Sequence, residues 1–193
     1  MTESVTDTPE LHAPVVRAVT GRGTALFHDE PHTLAELFYK AFAKYDRPDA
    51  LNYKADGKWR SISSTEMIAR AEHIALGLHS LGLRKSDRAA ILAANSPEWT
   101  LADAGCQFAG VIDVPIYTTL TPASVRYILN DSGARLFFIQ NLEVYQRLQD
   151  AIGECRSLEK LVIFDADGVN DKTAISLDGL EHSEAICETK IPA

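Results

Sequence analysis

The sequence predicts an α/β fold, in which helices flank a layered, mostly parallel sheet and a β-hairpin precedes it. Short apolar runs alternate with amphipathic helical segments from Arg88 to Phe164, and this alternation is typical of a parallel sheet with helical crossovers. Within residues 88–114 a strand, a capped helix and a second strand form one βαβ unit, whose crossover should be right-handed. Upstream, Asp56 and Gly57 separate two strand-like runs, which is a strong hairpin signal.

The first 30 residues are predicted to be a flexible lead-in, because Thr, Pro and charged residues dominate there without periodicity. Residues 21–24 (Gly-Arg-Gly-Thr) look like a fragment of a phosphate-binding loop. No strand precedes them and no lysine follows, so we interpret them as a flexible turn. The α/β domain is therefore expected to occupy residues 31–193.

The first helix is predicted to begin after Thr33, because Thr33 and Glu36 have the spacing of a capping box. Apolar side chains then recur at three- and four-residue spacing and predict one wide apolar stripe. These residues are Leu34, Leu37, Phe38, Ala41, Phe42 and Tyr45. Pro48 follows the end of the helix, and the two hairpin strands are predicted at 50–53 and 58–62.

A second helix is predicted from Ser63 to Leu81, where Ser63 and Glu66 repeat the capping box. Gly82 has the position of a left-handed C-terminal cap, after which Leu83 folds back onto the helix. The apolar stripe of this helix comprises Met67, Ile68, Ala71, Ile74, Ala75, Leu78 and Leu81. The two histidines of the helix do not share a face at metal-ligand spacing; they are His73 and His79.

The central βαβ unit begins with an apolar run at 88–94, which suits a strand that is buried on both faces. Ser96 can cap the following helix, and Pro97 suits its first position, where no N–H is needed. The helix should end at Gly110. Residues 111–114 are predicted to form a second buried strand that is parallel to the first.

The remaining elements continue the alternation. A helix is predicted to start at Thr121 and Pro122 and to end before Gly133. Its inward residues are Val125, Ile128 and Leu129. Further elements are a buried strand at 136–139, an amphipathic helix at 142–152, a strand at 161–164 and a short strand at 175–177. The tail at 169–193 is otherwise predicted to be polar and irregular.

The 193-residue chain has an ordinary globular composition, with 46% apolar and 24% charged residues. Its net charge of −8 argues against binding nucleic acid through the phosphates. Three cysteines, at 106, 155 and 187, form no CxxC pair and suit reduced thiols, and Cys106 is interpreted as a small core residue. Because no apolar run could span a bilayer and the acidic N-terminus is not a signal peptide, we expect a cytoplasmic protein.

No motif in the sequence carries chemistry by itself. The patterns G-x-S-x-G, H-E-x-x-H and G-x-x-x-x-G-K-[ST] are absent, and no G-x-G-x-x-G follows the strand at 88–94. The acidic turn at Asp165 and Asp167 places Gly168 too early for a calcium-binding EF-hand loop, so we interpret it as a solvated turn. We therefore assign no catalytic, cofactor-binding or metal-binding residue.

Several short motifs nevertheless occur in a specific order. They are Trp59 to Glu66, Leu81-Gly82-Leu83 before Asp87-Arg88, Asn95-Ser96-Pro97-Glu98-Trp99, Ala109-Gly110, Val114-Pro115-Ile116-Tyr117, Thr119, and Tyr127-Ile128-Leu129-Asn130-Asp131-Ser132. Together they make residues 33–164 resemble the N-terminal part of the AMP-forming acyl-CoA synthetases, within the adenylate-forming, AMP-binding superfamily. The motifs at 95–99 and 114–117 resemble its long-chain fatty acyl branch.

The resemblance implies an enzyme that joins a fatty acid to coenzyme A. In that family, ATP and a fatty acid give an acyl-adenylate and pyrophosphate, and coenzyme A then displaces AMP. The parent enzyme would use ATP, Mg²⁺ and coenzyme A, none of which this segment alone is expected to hold. The family's Pro-Lys-Gly phosphate loop, Thr-Glu motif, ribose-binding Asp and C-terminal-domain Lys are absent here, and residues 117–121 lack the glycines of such a loop.

Residues 31–193 are accordingly expected to be an incomplete N-terminal α/β domain, cut before the phosphate loop and inactive alone. The expected partners are the remainder of the synthetase chain and, for the parent enzyme, a fatty acid, with no nucleic acid. A homodimer through a patch left by missing neighbours, and peripheral association of the parent with the inner membrane face, stay open. The alternative hypothesis is a stand-alone, non-catalytic α/β module that binds a partner or a nucleotide.

One residue departs from the resemblance. Asp113 stands where an apolar strand residue is expected, and a buried, unpaired carboxylate would be costly. We expect it to face a pocket or solvent, or to pair with a cation such as Arg126 or Arg135. Four signature residues are expected to set turns and packing rather than to perform chemistry: Pro97, Trp99, Pro115 and Tyr117.

Overall fold

The computed structural model describes residues 30–168 and 174–183. The predicted lead-in through residue 29, including the turn at 21–24, and Cys187 lie outside the described residues. The described elements are, in chain order, α1 (Leu34–Lys44), β1 (Leu51–Ala55), β2 (Lys58–Ile62), α2 (Ser64–Ser80), β3 (Arg88–Leu92), α3 (Pro97–Ala109), β4 (Ile112–Pro115), α4 (Pro122–Ser132), β5 (Leu136–Asn141), α5 (Leu142–Gly153), β6 (Lys160–Asp165), β7 (Ala174–Ser176) and α6 (Leu177–His182).

The predicted α/β architecture with an N-proximal hairpin is confirmed. Strands β1 and β2 pair antiparallel, and the other five form one sheet in the order β4-β3-β5-β6-β7, in which every pairing is parallel. The connection that leaves β3 leads to one side of the sheet and the connection that leaves β5 leads to the other. This strand order is that of a doubly wound sheet, with its switch point between β3 and β5.

The sheet separates two hydrophobic cores. Ala89 and Ile91 of β3 join the core that contains α2, α3 and α6, whereas Ala90 and Leu92 join the core that contains α4 and α5. Strand β5 is divided between the cores in the same way. The predictions of buried strands at 88–94 and 136–139 are confirmed, and Cys106 lies buried in the first core, as expected.

Strand β4 confirms the predicted parallel pairing with β3, but the prediction that it is buried is wrong. None of its four residues is buried, and Ile112 is 49% exposed. The reason is its position, because among the described strands β4 lies at the edge of the sheet and has a neighbour on one side alone. A short apolar run is common to central and edge strands, so the sequence could not separate the two.

The short strand predicted at 175–177 is present as β7, one residue earlier, whereas the prediction of an irregular tail is wrong for residues 177–183. Strand β7 pairs parallel with β6, and α6 follows it directly. Ser176 caps α6, since its Oγ accepts the backbone N–H of Gly179 at 2.9 Å, and Leu177 and Leu180 are buried. A helix of six residues is too short to show the periodicity on which the prediction rests.

Helix α6 docks on α2 through a close approach and a buried ion pair. A Cβ on Gly77 would lie 2.4 Å from the carbonyl oxygen of Leu180, so only glycine fits there. Arg70 donates from Nη2 and Nε to the carboxylate of Glu181 at 2.8 and 3.1 Å, and Glu181 is 7% exposed. This bidentate pair raises the pKa of the Arg70 guanidinium.

The predicted helix caps are present. Each capping side chain accepts the backbone N–H three residues further on, at Thr33, Ser63, Ser96 and Thr121. The glycines expected at helix ends have positive φ, at Gly82, Gly110 and Gly133. In the first capping box, the Glu36 carboxylate also accepts the backbone N–H of His32 at 2.5 Å.

The hairpin and α1 match the predicted positions. Asp56 and Gly57 have φ of 51° and 75°, as a two-residue type I′ turn requires. In α1, Phe38 packs against the core, whereas Leu34 and Leu37 are 53% and 48% exposed. The predicted stripe is therefore covered along only part of its width.

The N-terminal edge of the sheet, where the parallel strands begin, is joined by one arginine. Arg135 donates from Nε and Nη2 to Glu159, at 2.9 Å each, and from Nη1 to Asp87 at 2.5 Å. The Nη1 atom also lies 3.3 Å from the carbonyl oxygen of Gly82. The segments that lead into β3, β5 and β6 are thereby tied to one side chain.

Candidate functional site

The C-terminal edge of the sheet, where the parallel strands end, is the candidate site. The segments that leave β3, β4, β5 and β6 all emerge there, because parallel strands end on the same side. At the switch point, the chain leaves β3 and β5 toward opposite faces and opens a crevice between them. Ligands of open parallel sheets bind in crevices of this kind.

Three depressions lie at this edge, and all of them border the turn at 93–98 between β3 and α3. The hairpin depression has a volume of about 590 Å³ and is lined by residues 51–55, 95–98 and Thr100. The inter-loop depression has a volume of about 580 Å³ and is lined by residues 93–95, Trp99 and 115–118. The switch-point depression has a volume of about 290 Å³ and is lined by Ser96, Glu98, Gln140, Asn141, Phe164 and Asp165.

The shared turn is fixed by local capping and by one distant side chain. The Oγ atom of Ser96 accepts the backbone N–H of Trp99 at 3.2 Å, and Pro97 is buried at the first position of α3. Gln140, at the end of β5, accepts the backbone N–H of Ala94 through Oε1 at 2.9 Å. The turn is thereby held both to its own helix and to the strand across the switch point.

The opposite wall of the inter-loop depression is the segment between β4 and α4. The carbonyl oxygen of Thr118 accepts a hydrogen bond from Nη2 of Arg147 in α5 at 3.1 Å. Ile116 is buried, but Tyr117 is 80% exposed. The expectation that Tyr117 sets packing is therefore wrong, because its ring is largely exposed where it lines the depression. Its carbonyl oxygen does take part in a turn, in which it accepts the backbone N–H of Leu120 at 3.2 Å.

The switch-point depression has mainly polar walls. Asn141 accepts the backbone N–H of Val144 at 3.1 Å and so caps α5. That capping lets β5 pass directly into α5 without an intervening loop. Gln140 and Asp165 stand at the ends of β5 and β6 on either side of this point, and Phe164 forms the apolar part of the wall.

The charges at this edge do not fit a triphosphate. Lys54 is the one cationic residue among those that line the three depressions, whereas Glu98 and Asp165 are acidic. The starts of α3 and α5 are already capped by Ser96 and Asn141, so their N–H groups are partly satisfied. ATP needs cationic groups and backbone donors around its phosphates, and the residues present at this edge supply few of either.

Within residues 30–168 and 174–183, no three His, Cys, Asp or Glu side chains lie close enough to hold a metal ion together. The same described part of the chain contains no helix that is long and apolar enough to cross a membrane. The assignment of no catalytic, cofactor-binding or metal-binding residue stays a prediction.

The residues that carry the family resemblance are partly brought together. All of the motif at 95–99 and most of the motif at 114–117 line the depressions of this edge. The motif at 127–132 lies in α4, and residues 59–66 lie in β2 and the start of α2. Neither segment lines the depressions, although β2 pairs with the lining strand β1. The segment at 117–121 follows β4, as expected, and forms part of the inter-loop wall.

Two residues that shape this edge were missed in the sequence. Gln140 follows an apolar strand directly, and a polar residue at that point is a signal for the C-terminal edge of a parallel sheet. Arg147 gives no such signal, because an exposed arginine on an amphipathic helix is ordinary. Its contact with Thr118 follows from the fold alone.

Asp113 pairs with neither of the arginines expected for it. Its Oδ1 accepts a hydrogen bond from Nε2 of Gln107 at 2.8 Å. Burial, and then the nearby Asp113 carboxylate, raise the pKa of Asp103. The expected partners are engaged elsewhere, Arg126 with Glu154 and Arg135 at the N-terminal edge. A glutamine one turn before Gly110 satisfies the carboxylate instead.

Comparison of the sequence with known proteins places these observations in a family. A family model described as AMP-binding enzyme matches residues 38–190. The chain is 34% identical over 134 residues to the long-chain-fatty-acid–CoA ligase ACSBG1 of Rattus norvegicus, covering 69% of this chain and 19% of the relative. It is 31% identical over 127 residues to the long-chain-fatty-acid–CoA ligase FadD15 of Mycobacterium bovis, covering 65% and 21%. The chain thus spans about a fifth of the length of these relatives.

Solved structures show the same fold at low sequence identity. The anthranilate CoA ligase AuaEII in complex with anthranoyl-AMP superposes with a TM-score of 0.70 at 22% identity, over 80% of this chain and 29% of that one. The A-PCP didomain of carboxylic acid reductase from Segniliparus rugosus, in complex with AMP, superposes with a TM-score of 0.67 at 18% identity, over 81% and 27%. Since the family model matches most of the sequence and the fold agrees, this chain belongs to the AMP-binding enzyme family.

Proposed function

We propose that the chain is the N-terminal part of the acyl-activating domain of a long-chain fatty-acid–CoA ligase. The overall reaction converts ATP, a fatty acid and coenzyme A into acyl-CoA, AMP and pyrophosphate through an acyl-adenylate. One observation carries the proposal: the 34% identity over 134 residues to ligases of that activity. The parallel sheet and its open C-terminal edge agree with it, because that edge is where a ligand of such a sheet would lie.

In this proposal, the described residues provide a scaffold and one wall of the site. The sequence has no Pro-Lys-Gly loop, and the lining residues include two carboxylates and one lysine. Phosphate charge would therefore be met by groups outside this segment, and the residues of the C-terminal edge would position the turns next to them. We propose that residues 31–193 are an incomplete domain and that the chain alone does not activate fatty acids.

The remainder of the synthetase is the partner that this proposal requires. The C-terminal edge has three depressions and the largely exposed Tyr117 ring, which suits a surface that meets other parts of a larger protein. A long-chain fatty acid, ATP with Mg²⁺ and coenzyme A are the proposed substrates and cofactors of the complete enzyme. No step of the reaction is assigned to a residue of this chain.

Fatty-acid-dependent exchange between ATP and radioactive pyrophosphate tests both parts of the proposal. The assay compares this 193-residue chain with the complete gene product that contains it, using the rat relative as a positive control. We expect exchange with the complete protein and none above background with the chain alone. Full exchange by the chain alone would overturn its proposed inactivity. A complete protein that gives no exchange with fatty acids of several lengths would overturn the ligase proposal and favour a binding module.

A further inference from the structure

The two walls of the inter-loop depression are each tied to the β5–α5 unit by one hydrogen bond. Gln140 holds the turn after β3, and Arg147 holds the segment after β4. Neither residue lines the inter-loop depression. We propose that Gln140 and Arg147 are positioning residues that together set the spacing between these walls. The substrate-facing role of the depression rests on the proposed function, whereas the positioning itself does not.

The bond made by Gln140 has a defined direction. A backbone N–H can only donate, so the Oε1 atom of Gln140 must be the atom that faces Ala94, at 2.9 Å. Ala94 lies two residues beyond the end of β3, where the sheet no longer fixes the backbone. The two residues are 46 positions apart in sequence. The contact therefore fixes where the chain turns from β3 toward α3.

The bond made by Arg147 acts on the other wall. Its guanidinium donates to the carbonyl oxygen of Thr118 at 3.1 Å, across 29 positions of sequence. A donor that carries a charge makes a stronger hydrogen bond than a neutral donor. Thr118 lies between the end of β4 and the start of α4. Since β4 is an edge strand, this contact limits how far the segment can move away from the sheet.

The two contacts have a common origin. Gln140 belongs to β5 and Arg147 to α5, and these elements are consecutive without a loop between them. Both walls of the depression are thus hydrogen-bonded to the same unit, which consists of β5 and α5. Loss of either contact should let one wall move relative to the other and alter the surroundings of Trp99, which lines the depression.

Trp99 offers a reporter of that movement in the 193-residue chain. The chain has two tryptophans, and Trp59 is 75% exposed on the hairpin, so Trp59→Phe leaves Trp99 as the single indole. In that background, Gln140→Met and Arg147→Met remove one bond each with little change in side-chain size. We expect a higher acrylamide quenching constant and a red shift of Trp99 emission. Gln140→Glu, which keeps an acceptor, and Arg147→Lys, which keeps a cationic donor, should restore most of both signals.

Matched controls and an activity measurement complete the test. Gln149→Met and Arg156→Met lie outside the inter-loop depression and should leave Trp99 emission unchanged.

In the complete gene product, Gln140→Met and Arg147→Met should raise the KM of a substrate more than they lower kcat, with Gln140→Glu close to wild type. Unchanged Trp99 signals, or no recovery in the conservative variants, would overturn the positioning role. Altered Trp99 signals with unchanged KM values in an active enzyme would overturn the role toward substrate, whereas an inactive wild-type protein would refute the proposed function alone.

Discussion

The two ends of the parallel sheet are held together by different means. At the N-terminal edge, Arg135 bonds to Asp87 and Glu159 and lies near the carbonyl oxygen of Gly82. At the C-terminal edge, two single hydrogen bonds tie the loops, one accepted by Gln140 and one donated by Arg147. The first edge is a charged network that joins the starts of three strands, and the second is a set of depressions with lightly tied walls.

This difference indicates a division of roles within one sheet. Charge-assisted and bidentate bonds are the stronger ones, so the N-terminal edge should contribute more to stability. Turns and loops with few contacts are the parts of a fold that can adapt to ligands or to neighbouring chain. The family motifs at 95–99 and 114–117 lie at the second edge, where adaptation rather than rigidity is useful.

Among the substitutions that test this comparison, Arg135→Met is expected to cause the largest loss of stability. The change leaves the carboxylates of Asp87 and Glu159 close together without their shared cation. Arg135 and Asp87 are 30% and 25% exposed and Glu159 is 51% exposed, so solvent screens part of the loss. We expect the free energy of unfolding to fall by about 1–2 kcal/mol, measured by urea denaturation at pH 7.

A matched control separates this network from an ordinary surface pair. Arg60 pairs with Asp56 at the hairpin turn, where the side chains are 55% and 84% exposed. Arg60→Met should change the free energy of unfolding by less than about 0.5 kcal/mol. Equal effects of the two substitutions would contradict the claim that the N-terminal edge is the more strongly held end.

The pH dependence of stability should report the same network. The backbone N–H of Arg84, and then Arg135, lower the pKa of the Asp87 carboxyl, and Arg135 lowers the pKa of Glu159. A carboxyl with a lowered pKa in the folded state stabilises the fold at pH values above its unfolded pKa of about 4. That contribution is lost as the pH falls through the lower pKa values that these carboxyl groups have in the folded state.

Urea denaturation from pH 7 down to about pH 3 measures this effect. We expect the wild-type chain to lose stability below about pH 4.5. The Arg135→Met variant should lose less stability over the same interval. The free energies of unfolding of the two proteins should therefore approach each other in acid. A constant difference between wild type and variant at every pH would show that the carboxylates do not act through Arg135.

The central part of the fold could be predicted from the sequence because its signals are local. Ser96 and Pro97 mark the start of α3 within two residues, and Gly110 marks its end by a backbone conformation that favours glycine. Asp56 and Gly57 likewise determine the hairpin turn. In each case the residues that give the signal are those that make the contact.

The candidate site could be predicted only in part, because its contacts join distant residues. The motif at 95–99 was singled out by resemblance, but its contact with Gln140 depends on β5 lying beside β3. The ion pair of Arg70 and Glu181 spans 111 positions, and it orders a short helix that has no periodicity of its own. Asp113 accepts its hydrogen bond from Gln107. Because glutamine is uncharged, a search of the sequence for a cationic partner does not find it.

The smallest effect is expected at Tyr117, in the wall of the inter-loop depression. Its ring is 80% exposed, so Tyr117→Ser removes little buried surface and should change the free energy of unfolding by less than about 0.5 kcal/mol. Tyr127→Ser, at 69% exposure on α4, is the matched control. Urea denaturation of both variants at pH 7 gives the comparison. A loss above about 1 kcal/mol for Tyr117→Ser alone would mean that the ring packs on its loop, and the C-terminal edge would then be more rigid than its single hydrogen bonds indicate.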